Sequence, residues 1–194
     1  MTLSFLFPRD DPGQTLRFRR YLIASGTSLM FVCLLGLCVV EGVLEIRPFA
    51  IASTAVLAII LMFYAAFRSG LNKRAKDRSL TVPMMLSATS VVSYTLYYVG
   101  PARPVFLLMF PVILFFGVFR LNTRALLLTS GVIQVSYALV ISLLLDADKG
   151  PERPYIEIFQ WVVLTAVLIW FSFMGGYIFD LRGRLKQSEY DELT

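Results

Sequence analysis

Apolar residues fall into six blocks separated by short polar or charged stretches. The blocks cover roughly Tyr21–Val40, Pro48–Phe67, Leu80–Val99, Pro104–Phe119, Ala125–Leu145 and Tyr155–Phe179. At a rise of 1.5 Å per residue, about twenty residues in a helix cross a hydrocarbon core of ~30 Å. Each block therefore predicts one transmembrane helix, and together they predict an all-α integral membrane protein built as a six-helix bundle. The fourth block is short and carries Pro111, which cannot donate a backbone hydrogen bond. It is predicted to kink or to borrow length from its neighbours, and five spans are the alternative count.

Composition agrees with the pattern. The chain is 57% hydrophobic and 16% charged, with a mean hydropathy of +0.72, well outside the range of soluble domains. Met1–Arg20 is a polar arm with Pro and Gly that lacks the order of a signal peptide, so the first span is expected to be retained. Leu3, Phe5, Leu6 and Phe7 offer this arm an apolar edge for the membrane surface, against the alternative of a frayed tail.

Charge sets the expected orientation. With six spans, 14 of the 18 Lys and Arg residues fall on the side of both termini, and only Arg47, Arg103, Lys149 and Arg153 on the other. The positive-inside rule then places both termini in the cytoplasm, which requires an even number of spans. The net charge of +5 reads as an orientation signal near anionic lipid rather than as a nucleic-acid footprint, and no nucleic-acid partner is expected.

Several chemistries find no residues to carry them. The chain has no histidine, which removes the common ligands of haem, zinc and copper. Cys33 and Cys38 are five residues apart in one helix and point in different directions, so neither a local disulfide nor a CxxC redox pair fits. No phosphate-binding glycine loop, nucleophile elbow or acidic metal cluster is present. No catalytic residue, metal or cofactor is expected in this chain.

Polar side chains inside hydrocarbon need a partner or a cavity. Ser87, Ser90, Tyr94 and Tyr97 share one face of the third span, and Ser130, Gln134 and Tyr137 one face of the fifth. Glu157, Gln160 and Trp161 open the sixth. Convergence of these faces would form an outward-opening pocket lined by Tyr94, Tyr97, Gln134, Tyr137, Glu157, Gln160 and Trp161, suited to a small hydrophobic or amphipathic ligand from outside or from the bilayer. The competing reading makes the aromatics an interfacial belt, folds the serines back onto their own helices and leaves Glu157 in water. Gln134 is too deep to snorkel. Ser172, Gly175 and Gly176 form a small-residue pattern that predicts close helix packing, within the chain or in a dimer. The outer loops are too short for a separate folded domain.

Beyond Phe179 the apolar spacing continues through Ile178, Leu181 and Leu185, with Ser188 next in the heptad, and the chain reaches Asp191-Glu-Leu-Thr194. A helix that leaves the bilayer, turns amphipathic and runs into D-x-L-T resembles the linker of membrane-bound diguanylate cyclases. The membrane part, including Phe110–Arg120 and Met174–Tyr177, is similar to the multi-span, MASE-like sensor regions that precede such GGDEF domains. The resemblance implies three parts: a cytoplasmic arm at 1–20, a transmembrane sensor at 21–179, and a signalling helix at 180–194 leading to a GGDEF domain beyond Thr194. It implies a homodimer in the bacterial inner membrane, with GTP and Mg belonging to the output domain. The glycine-rich GGDEF loop, its metal-binding acids and its RxxD inhibitory site do not occur here, so the expected role is input and dimerisation rather than catalysis. The alternatives are a small transporter or half-transporter, and an input module for a histidine kinase or a class III nucleotide cyclase.

Overall fold

The structure is a computed structural model that describes residues 12–74, 79–118, 120–147 and 154–191. Among the described residues it contains seven α-helices and no strand. They are α1 (Pro12–Val40), α2 (Ile46–Arg68), α3 (Thr81–Tyr98), α4 (Arg103–Leu107), α5 (Met109–Val118), α6 (Thr123–Asp146) and α7 (Pro154–Asp191). Arg20, Arg68, Arg120, Arg124 and Arg182 gather where α1, α3 and α6 begin and α2 and α5 end. We call this the basic end and the opposite one the far end.

Short turns enforce the up-and-down course. After α1, Gly42 adopts a left-handed φ of +70°, while the N–H groups of Val43 and Leu44 return to the Cys38 carbonyl. This satisfies orphan groups at the helix end and tucks Leu44 into the core. At the start of α6 the Asn122 side chain accepts the Ala125 N–H at 3.0 Å, an N-cap.

The fourth predicted span is a broken rod. A 3-10 turn at Gly100–Ala102 leads into α4, and the helix is interrupted at Leu108 before α5 resumes. Pro111 explains the break, since it offers no N–H to the Leu107 carbonyl four residues back and its ring crowds that group. With the turn included, Gly100–Val118 provides 19 residues of crossing length, so the short block borrows from the preceding loop.

Among the described residues, five helical segments are long and apolar enough to cross a membrane: Phe18–Val40, Ile46–Arg68, Gly100–Val118, Thr123–Asp146 and Tyr155–Arg184. α3 has 18 residues, about 27 Å of helix, but its serines, threonines and tyrosines lower its apolarity. It packs against α2, α5 and α6, and Thr89 and Thr95 are buried among those neighbours. This less apolar helix thus has three protein neighbours for its polar side chains.

The core runs through the whole bundle, with Leu35, Leu96, Phe110, Leu114, Leu126, Ile133 and Leu168 fully buried. Large apolar side chains such as Leu61, Leu128, Val135 and Phe159 face outward, as expected where lipid is the solvent. α7 spans 38 residues without interruption, about 57 Å, and is the longest of the described helices. The arm before Pro12, the loop at 75–78, the outer loop at 148–153 and the closing residues 192–194 lie outside the described residues.

Candidate functional site

The far end holds a buried charged cluster built on α3, α4, α6 and α7. Gly100 takes a left-handed φ of +47° in the turn after α3, and this turn delivers Arg103 to the first position of α4, only 5% exposed. Its Nε donates to the Leu96 carbonyl in the last turn of α3 at 2.9 Å. The last carbonyls of a helix lack intrahelical partners, and the helix dipole favours a cation there. Its Nη1 pairs with Glu157 Oε1. Glu157 stands in the first turn of α7, where the dipole favours an anion, and is 6% exposed. Tyr137 of α6, fully buried, donates its hydroxyl to Glu157 Oε2 at 2.6 Å. The same hydroxyl oxygen lies 3.4 Å from Gln160 Oε1, and the Phe110 ring packs on the Tyr137 ring at 6.5 Å.

Among the predicted pocket residues, the structure brings Tyr137, Glu157 and Gln160 together. They close on one another and on Arg103 as a packed knot in which both Glu157 carboxylate oxygens accept a hydrogen bond. Glu157 sits inside the protein rather than in water. Tyr94 and Tyr97 belong to an aromatic group around Tyr98 at the end of α3, with ring separations of 5.0 and 4.9 Å. Ser87 and Ser90 donate to Pro83 and Leu86 carbonyls of their own helix. Trp161 donates its indole N–H to the Gln134 backbone carbonyl at 3.3 Å. The Gln134 side-chain amide is buried, and neither its nitrogen nor its oxygen has a hydrogen-bond partner.

The polar face of α6 therefore docks along α7. Tyr137 meets Glu157, Gln134 meets Trp161, and Ser130 meets Ser172 at 2.9 Å, in antiparallel order. Ser172 gives its single proton to the Leu168 carbonyl at 2.8 Å, so Ser130 is the donor between the two serines. One turn further on, a Cβ at Gly175 would lie 2.7 Å from Leu126, and one at Gly176 only 1.8 Å from Thr123 Oγ1. These small residues seat α7 against α6 and the end of α5 within the chain. Ile178 is half-buried and Leu181 exposed, and α7 continues through Leu185 and Ser188.

Arg103 is the residue that sequence reasoning missed, because it was read as an outer-loop charge. A signal did exist: an arginine between two prolines at the mouth of one span, with a glutamate at matching depth in the first turn of another. The cluster offers a charge pair in a low-dielectric setting and no nucleophile. Among the described residues no group of His, Cys, Asp and Glu is placed to hold a metal.

The long apolar helices and their packing define a multi-pass, all-helical membrane protein. Compared with known protein families, curated proteins and solved structures, the chain matches none.

Proposed function

We propose that the protein is a six-span membrane input and dimerisation module. Both its termini lie on the cytoplasmic side of a bacterial inner membrane, and it regulates a diguanylate cyclase domain joined through α7. The observation that supports this reading is the continuity of α7. One helix carries Glu157 of the buried cluster, the Ser172–Gly176 packing face and the charged extension to Asp191. A change at the cluster, by a ligand or by the state of the bilayer, is then a change in the position of the helix that leaves the membrane. The outer connections leave no room for a separate receptor domain, so the helices themselves receive the signal. In a homodimer the two extensions would pair and set the register of two GTP-bearing domains.

The test is a phase experiment. With a diguanylate cyclase domain fused after Thr194, two residues inserted between 185 and 188 rotate the output by about 200°. Seven inserted residues return it to within about 20° of the starting face. Cyclic-di-GMP in membranes carrying the fusion should change several-fold with the first insertion and recover with the second. Equal output from all three chains would refute rigid helical coupling.

A small transporter is the second reading, supported by the break between α4 and α5 and by the unpartnered amide of Gln134. It differs from the first in requiring solute flux in reconstituted vesicles.

A further inference from the structure

A cavity of about 410 Å³ lies between α1, α2, α3 and α5, toward the basic end and away from the buried ion pair. Arg20, Arg120 and Arg182 line it, contributed by α1, by the turn after α5 and by α7. None of the described lining residues is acidic. Behind the arginines the wall is apolar and includes Phe63, Met84, Met85, Met109 and Phe116. At the deep end Phe31 meets Phe106 edge-to-face at 5.8 Å. Ile23 and Phe115 line the space and are also exposed, so it opens sideways to whatever surrounds the bundle.

These dimensions and charges select one kind of occupant. Arg20 and Phe31 are eleven residues apart on α1, about 16 Å of helix, close to the ~15 Å of hydrocarbon in one leaflet. Methionine side chains adapt to irregular apolar shapes, as a kinked acyl chain requires. Guanidinium groups pair with phosphate oxygens in a fork, and no described lining residue offers a carboxylate to a choline or ethanolamine head. We propose that this cavity binds an anionic phospholipid, one acyl chain in the apolar shaft and the phosphate at Arg20, Arg120 and Arg182. The bound lipid would tie α7 to α1 and to the end of α5, so α7 would be held according to membrane composition. The proposal stands whether or not α7 drives a cyclase.

The test uses the purified full chain in a neutral detergent, with lipid retention read by native mass spectrometry. One equivalent of dioleoyl-phosphatidylglycerol should be kept in preference to dioleoyl-phosphatidylcholine. Arg20→Gln, Arg120→Gln and Arg182→Gln should each weaken retention roughly fivefold. Arg124→Gln, at the same end but outside the cavity, should leave it unchanged. Val112→Trp, which fills the shaft from an exposed lining position, should also weaken it with all three arginines in place. Arg20 is exposed, so its variant still decides the matter if Val112→Trp fails to fold. Equal retention of the two lipids, an Arg124→Gln loss as large as that of Arg120→Gln, or displacement of the lipid by equimolar inorganic phosphate would overturn the proposal.

Discussion

Removing the Glu157 carboxylate should strongly destabilise the far end of the bundle, because it strands the buried Arg103 guanidinium. In Glu157→Leu the Arg103 guanidinium keeps its bond to the Leu96 carbonyl but loses its counter-charge at a site 5% exposed. Breaking a buried pair from one side costs about 3–5 kcal/mol, because the remaining charge is uncompensated. Tyr137 also loses its 2.6 Å acceptor, worth about 1 kcal/mol. For a chain of this size each kcal/mol moves the midpoint by about 2–4 °C. Together, about 4–6 kcal/mol, these predict a fall of about 8–24 °C. Arg103→Leu should cost a comparable amount by stranding the carboxylate. The double variant should recover most of the loss, since an apolar pair of similar volume is often as stable as the ions it replaces. Only the Tyr137 hydroxyl and the Leu96 carbonyl would remain short of a partner, about 1 kcal/mol each. Thermal unfolding in detergent micelles, followed by far-ultraviolet circular dichroism and tryptophan fluorescence, measures all four corners of the cycle. Single and double losses that add within about 0.5 kcal/mol would refute the claim that the two charges are a coupled buried pair.

Two other outcomes follow from packing. Gly176→Ala places a methyl group 1.8 Å from Thr123 Oγ1 and should destabilise the fold by about 1–3 kcal/mol. Thr123→Ala in the same chain should restore part of that loss, which the same unfolding measurement reads. Gln134→Leu removes a buried amide that has no partner and should stabilise the isolated chain by about 1–3 kcal/mol. A lower midpoint would show that the amide has a partner in the working protein.

The course of the chain was legible in its sequence because hydrophobic length is a strong constraint in a bilayer. The block at Ala125–Leu145 became α6, Thr123–Asp146, and the block at Leu80–Val99 became α3, Thr81–Tyr98. Pro111 announced the broken rod, whose break lies at Leu108. The α6 polar face was also visible as a three-and-four spacing, and the structure docks that face on α7. Partnerships were not legible. Glu157 and Arg103 are 54 residues apart, and only the turn at Gly100 decides that Arg103 points inward. The arginine-lined cavity was equally hidden, since its wall comes from several helices whose residues individually read as lipid-facing or interfacial.

The seat of α7 gives it a mechanical ratio. The helix lies tight against the rest of the chain at Gly175 and Gly176, which face Leu126, Val118 and Thr123. Glu157 lies nineteen residues to one side of Gly176 and Asp191 fifteen to the other, arms of about 28 Å and 22 Å. If α7 tilts about that contact it behaves as a lever with its fulcrum near one leaflet. A displacement of about 1 Å at Glu157 then arrives at Asp191 reversed in direction and at about 0.8 of its size. Lengthening the arm beyond Gly176 would raise the gain without altering anything that the far end senses.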